Sequence, residues 1–254
     1  MPGEARSRNL KTRVKRALER LDLHAGRHRH TLAGAREALL HSGEVELVID
    51  VGAHAGEYGT SLRDCGYGGA IVSFEPVSRQ FNRLLAAAAG DHAWECQNRA
   101  GGARAERATI NLSGNDGFSS SLLAMNEAHE QAVGESRYEG SEEIEVVSLD
   151  EALRERQPSR PSSYLKADTQ GYEDKVLAGA EATLRNCLAV ELELSLTPLY
   201  EGQPLIGEMI ALMRDHGFRP THLEPEFNDP HSGELLQVNG LFQASARISE
   251  PNGR

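Results

Sequence analysis

The sequence predicts an α/β fold, a mostly parallel sheet with helices on both faces. Two observations carry this reading. The run Leu47-Val48-Ile49-Asp50-Val51 is apolar and β-branched, as in a parallel strand covered on both sides, and it leads into Gly52 and Gly56. From there to residue 243, strand-like and helix-like segments alternate, the pattern of linked βαβ units. A chain of 254 residues can bury a single core of this kind.

Taken in order, residues 10–41 have a helix-forming composition broken at Gly26 and Gly34, which predicts short helices capping the main domain. The first strand is expected at 46–51 and a helix at 56–66. The second strand, 70–74, ends at Glu75-Pro76; a helix over 78–89 and a short strand at 93–98 follow. Extended segments at 107–112 and 143–147 bracket a polar stretch, 113–142, rich in Gly, Ser and Asn. Its length exceeds an ordinary connection and predicts a lid or substrate loop. A helix at 149–156, a strand at 163–167, a helix at 171–185, a strand at 188–194 and a helix at 204–216 come next. Strands near 219–224 and 235–243, joined by a loop rich in Pro, Asp and Gly, read as a closing hairpin. The chain thus divides into a basic helical extension (1–43), the main domain (44–245) and a tail (246–254).

Lys and Arg number 27 against 38 Asp and Glu, a formal charge of −11. That balance argues against broad nucleic-acid binding, which needs a positive footprint. Residues 1–36 depart from it, with ten basic side chains against three acidic ones, as an exposed basic face would. Three well-separated cysteines suggest neither a disulfide framework nor a zinc site. The N-terminus has no signal-peptide core, and no apolar stretch is long enough to span a membrane. A cytoplasmic setting is the expectation, and a homo-oligomer is compatible with it.

The chemistry lies at strand ends, where open α/β sheets bind ligands. After the first strand the pattern is DxGxxxG at Asp50, Gly52 and Gly56. A dinucleotide site would show GxGxxG, with a middle glycine where this chain has His54. Its absence, with an acid just before the turn, suits a ligand without a pyrophosphate, such as S-adenosylmethionine. Glu75, 25 residues after Asp50, can accept both ribose hydroxyls of an adenosine, and Asn98 at the end of the third strand can reach the adenine edge. Ala53, Tyr58 and Pro76, beside these residues, complete the expected cofactor contacts. In Tyr164-Leu165-Lys166-Ala167-Asp168-Thr169-Gln170-Gly171-Tyr172-Glu173, Lys166 and Asp168 share a strand face, and Asp168 falls at the same carboxyl edge. Glu191 and Glu193 share a face one strand on; buried carboxylates need partners, and Lys166 with Glu193 is the natural pair.

The segments DVGAHAGEY…GAIVSFEP and LKADTQGYEDKVLAGA, followed by ELSLTPLYEGQP, resemble the FkbM family of S-adenosylmethionine-dependent methyltransferases over roughly residues 44–243. The resemblance implies a class I methyltransferase (Rossmann-like) sheet of seven strands with the last antiparallel. It implies O-methylation of a hydroxyl on a sugar or a glycosylated or polyketide natural product, with Asp50, Gly52, Gly56 and Glu75 holding the cofactor. The chain departs from the family at His54, more often Asn, and at Thr169-Gln170, more often Val-Glu.

Methyl transfer to an alcohol needs alignment and removal of a proton. Asp168 is the expected base, with His54 and Glu193 behind it. Ser120, Gln170 and Tyr200 are expected to meet a small-molecule hydroxyl acceptor. No metal is expected; Mg²⁺ held by Asp168 and Glu193 is the less favoured alternative. Two rival readings are a non-catalytic cofactor-binding accessory protein and an NAD-dependent oxidoreductase, the latter opposed by the absent GxGxxG.

Overall fold

The computed structural model describes residues 31–245 apart from 157 and 159. The expectations for residues 1–30, including the break at Gly26, and for the tail from 246 lie outside the described residues. The first described helix, α1 (Leu32–Leu40), is capped by Thr31, whose hydroxyl accepts from the Gly34 amide at 3.1 Å. Gly34 therefore lies inside this helix and does not break it. Leu32, Ala35, Leu39 and Leu40 form a buried face in the same apolar cluster as Val48, Tyr164 and Leu241.

Next come β1 (Leu47–Val51), α2 (Glu57–Asp64), β2 (Ala70–Phe74), α3 (Ser78–Ala87) and β3 (Trp94–Gln97). Three strands, β4 (Ala100–Gly101), β5 (Glu106–Ser113) and β6 (Tyr138–Val147), then form a separate small sheet in the order β4-β6-β5. A short helix, α4 (Glu127–Ala132), lies between β5 and β6. The chain continues through α5 (Leu149–Ala152), β7 (Ser163–Ala167), α6 (Glu173–Ala178), α7 (Glu181–Arg185), β8 (Cys187–Ser195), α8 (Ile206–Asp215), β9 (Phe218–Asn228) and β10 (Leu235–Ala244).

Among the described residues, the main sheet has seven strands in the order β3-β2-β1-β7-β8-β10-β9, with β10 antiparallel to both β8 and β9 and the other pairs parallel. This is the seven-stranded, mostly parallel sheet expected. Every residue of β1 is buried, because β2 and β7 flank it and helices cover the sheet.

Three further local expectations are corrected. The polar stretch 113–142 is not all loop: residues 138–142 continue β6, with Gly140 opposite Leu112 and Glu142 opposite Ile110. One face of β6 meets solvent, so its polar residues imitate a loop in sequence. The helix expected at 171–185 is two helices, since Gly179 brings its backbone against Gly102; a Cβ there would lie 2.0 Å from the Gly102 carbonyl oxygen. The helix expected at 149–156 tightens after Ala152 into a 3₁₀ turn over Arg154–Arg156.

Candidate active site

The carboxyl ends of β1, β2 and β7 meet at a cavity of about 410 Å³. After β1 it is lined by Gly52, Ala53 and His54; after β2 by Glu75, Pro76 and Val77; after β7 by Asp168, Thr169 and Gln170. Strand β5 and the loop after it add Ile110, Phe118, Ser120 and Ser121. Tyr58 on α2 also lines the cavity, whereas Asp50, Gly56 and Asn98 do not.

The two glycines of the opening motif serve the fold. A Cβ on Gly52 (φ +79°) would lie 1.9 Å from the Asp168 carbonyl oxygen, so β1 and β7 can approach only if this residue is glycine. A Cβ on Gly56 would press at 3.1 Å on Ala87 and Leu84, where α2 packs on α3. Asn98 donates to the carbonyls of Glu75 and Pro76, each at 2.9 Å, and so holds the turn after β2 instead of reaching the cavity.

Asp50 is fully buried. It accepts from the Ser73 hydroxyl at 3.2 Å and pairs with the Lys166 ammonium at 3.4 Å. Burial pushes its carboxyl up, opposed by Lys166 and Ser73. Lys166 also donates to the Gly52 carbonyl at 3.1 Å and lies 3.5 Å from Asp168. Burial works against the lysine charge, yet Asp168, Asp50 and Glu191 outweigh it and hold the ammonium above the usual lysine range. The expected pair of Lys166 with Glu193 does not form: β1 supplies an anion and a carbonyl on one side, and Gln170 engages Glu193 on the other.

Glu75 joins two turns. One carboxyl oxygen accepts from the Val77 amide at 2.8 Å and the other from the His54 amide at 2.9 Å. Burial pushes this carboxyl up to about 7 despite both bonds. His54 does not fit a catalytic base. Its Nε2 donates to the Asp116 carbonyl at 2.9 Å and its Nδ1 lies 3.2 Å from the Glu57 carboxylate, so both ring nitrogens are engaged. The imidazole instead stacks on Phe118, with ring centroids 4.1 Å apart. Asp116 anchors this part of the loop through ion pairs to Arg79 at 3.1 Å and Arg83 at 2.6 Å.

Asp168 presents a partly open carboxylate to the cavity, its side chain 38% exposed. The Gln170 amide nitrogen stands 3.0 Å from Asp168 and 2.9 Å from Glu193. Glu193 is half-buried and does not line the cavity; the Gln170 amide links it to Asp168. Its enclosure, with Asp168 and Glu173 nearby, pushes its carboxyl up. Tyr200, expected at the acceptor, is fully buried behind Gln170 and donates to the Gln170 side-chain oxygen at 2.7 Å. Ser120 and Gln170 line the cavity as expected.

The Mg²⁺ alternative does not fit these residues. An amide donor stands between the two carboxylates that would have to share the ion. Among the described residues, no group of three or more His, Cys, Asp or Glu side chains is arranged to hold a metal.

Sequence reasoning missed Arg36, Phe118 and Asn239 as lining residues. Arg36 binds both oxygens of Glu191, at 3.1 and 3.3 Å; Tyr164 and Tyr58 donate to the same carboxylate at 2.6 and 3.2 Å. A signal was present: Arg36 falls four residues after Leu32 and three before Leu39, on the apolar face of α1. Arg36→Ala leaves the buried Glu191 carboxylate with tyrosine donors but without its cation, and is expected to destabilise the fold by about 3 kcal/mol in urea unfolding. A change below about 0.5 kcal/mol would count against that pairing.

A family model described as Methyltransferase FkbM domain matches residues 50–220. No curated protein matches the chain in sequence. Among solved structures, the chain is similar to an rRNA methylase from Streptococcus thermophilus at 10% identity, covering 83% of this chain and 95% of that one, with a TM-score of 0.44. It is similar to the 1,6-didemethyltoxoflavin-N1-methyltransferase of Burkholderia thailandensis at 10% identity, with coverages of 96% and 91% and a TM-score of 0.44. Fibrillarin from Aeropyrum pernix, solved with S-adenosyl-L-methionine, is similar at 14% identity, with coverages of 77% and 66% and a TM-score of 0.42. Among the described residues, no helix is long and apolar enough to cross a membrane.

Proposed function

The chain belongs to the FkbM methyltransferase family, and we propose that it is an S-adenosylmethionine-dependent O-methyltransferase acting on a hydroxyl of a sugar or of a glycosylated or polyketide natural product. The observation that carries this reading is the Asp168 carboxylate, open to a cavity lined by Phe118, Ser120, Gln170 and Asn239. An exposed aromatic face among short polar side chains suits the mixed C–H and hydroxyl surface of a sugar. Phe118 is 57% exposed and is backed by the His54 ring.

The residues fit the cofactor. Val77, Ala100, Ile110 and Leu122 offer an apolar slot for the adenine, and Glu75 stands at the cavity wall as an acceptor for ribose hydroxyls. Ala53 and Tyr58 line the part beside Gly52, where the methionine end would lie. When bound, this cofactor supplies a methyl group on a sulfonium, open to in-line displacement by oxygen. Asp168 takes the acceptor's hydroxyl proton as the new carbon–oxygen bond forms, and its exposed edge returns that proton to solvent. Lys166 and Gln170 hold the carboxylate in place.

The reading is tested by supplying methyl-labelled S-adenosylmethionine with panels of glycosides, free sugars, polyketides, amines and RNA. Label on a hydroxyl oxygen of the sugar or polyketide set supports it; label confined to nitrogen or RNA overturns it. The Glu75 assignment has a separate test. Ribose hydroxyls favour the ionised carboxyl, so affinity for S-adenosylhomocysteine should weaken as pH falls through about 7, approaching tenfold per pH unit. Calorimetry giving one affinity between about pH 5.5 and 8 would remove Glu75 from the ribose site.

A further inference from the structure

We infer that the Gln170 carboxamide does here what a divalent cation does between carboxylates elsewhere: it is a positioning residue that keeps Asp168 and Glu193 apart and Asp168 turned to the cavity, so that methyl transfer runs without a metal. This rests on the reading of Asp168 as the base.

The geometry leaves the amide one orientation. The hydroxyl of Tyr200, fully buried, lies 2.7 Å from the Gln170 side-chain oxygen and 3.3 Å from the Ser119 carbonyl, and gives its one hydrogen to the nearer acceptor. The NH₂ group then faces Asp168 at 3.0 Å and Glu193 at 2.9 Å, one hydrogen for each. Turned over, the amide would set its oxygen against the Asp168 carboxylate and its nitrogen against a hydroxyl that is better placed as a donor. The backbone is held as firmly. Ser121 donates to the Gln170 carbonyl at 2.7 Å, and Gln170 has a φ of +56°, a left-handed conformation unfavourable for a non-glycine residue. Such a conformation persists where its surroundings over-determine it.

Asp168 is therefore held at both oxygens, by Gln170 on Oδ1 and by Lys166 on Oδ2, with lone pairs left for an acceptor hydroxyl. A glutamate at position 170 would reverse the effect. Tyr200 could still satisfy one of its oxygens, but the other would face Asp168 and Glu193 with no hydrogen to offer. Three carboxylates would then converge, an oxygen-rich set that a hard divalent cation satisfies.

The test compares the native chain with Gln170→Glu and Tyr200→Phe, using Mn²⁺ alone as an electron paramagnetic resonance probe beside steady-state kinetics. The native chain is expected to leave the signal of free Mn²⁺ unchanged and to keep its turnover in EDTA. Gln170→Glu is expected to bind Mn²⁺ and to lose kcat by a factor on the order of 100 at unchanged KM for S-adenosylmethionine, with part of the kcat restored by added Mn²⁺. Tyr200→Phe frees the amide and should lower kcat on the order of tenfold at unchanged KM, without gaining Mn²⁺. Calorimetry with S-adenosylhomocysteine checks that each variant is folded. EDTA inactivation of the native chain, or a Gln170→Glu variant that binds no Mn²⁺ and keeps its kcat, would overturn the inference. The reading beneath it fails differently: Asp168→Asn would then keep its turnover while Gln170→Glu still captured Mn²⁺.

Discussion

Asp168→Asn is expected to cut turnover by a factor on the order of 100 or more while leaving the affinity for S-adenosylhomocysteine unchanged. The separation of effects follows from the geometry. The Asp168 side chain faces the cavity and touches Gln170 and Lys166, while the residues proposed for adenosine, Glu75, Val77, Ile110 and Leu122, line the same cavity from β2 and the small sheet. Asparagine keeps an oxygen to accept from Gln170 and is the same size, and Lys166 retains Asp50 as its anion. The capacity to take a proton is removed, along with the Lys166 contact at the second oxygen, while Asp50 and the Gly52 carbonyl continue to hold the lysine. Stopped assays with labelled cofactor and calorimetry on the same preparation measure both quantities. Near-native turnover would show that another group takes the acceptor's proton.

Gly52→Ala is expected to have the largest effect on stability, a loss of about 3 kcal/mol or more. Its φ of +79° is unfavourable for any side chain, and the added Cβ would lie 1.9 Å from the Asp168 carbonyl oxygen. The opposing atom is backbone in the central pair of strands, so no side chain can swing aside. β1 and β7 would have to part, and with them the two strand ends that frame the cavity. For a domain of this size the melting temperature should drop by about 6–12 °C. A melting temperature within about 2 °C of the native chain would mean that the strands separate at little cost.

Much of this architecture is legible in the sequence. β1, β2 and β7 appear almost residue for residue, because a buried parallel strand is an uninterrupted apolar run that few other elements imitate. The resemblance drawn from three separated motifs agrees with the match over residues 50–220. The second sheet was legible in part: the extended segments expected at 107–112 and 143–147 lie within β5 and β6, but their pairing, β4 and the first half of β6 were not. β6 has one face in solvent and pairs with β5 across the long polar connection, so it resembles the loop it borders. The break between α6 and α7 was hidden for a related reason, since it depends on Gly102, 77 residues earlier in the chain.

At the site, the sequence was sufficient for the acids at the strand ends, and the cavity does gather Glu75 and Asp168. Strand ends follow from period and composition within a few residues of each position, and such local signals survive without a structure. The partners of each group do not. Glu191 takes its cation from Arg36, 155 residues away, and Glu193 takes its donor from Gln170, not from Lys166. Gly52 and Gly56, which as sequence suggest an approaching ligand, are required by backbone and side chains of the protein itself. Hydrogen bonds and ion pairs act over a few ångströms, so the nearest atom in space decides the role of a residue. Only the packed sheet establishes which atom that is.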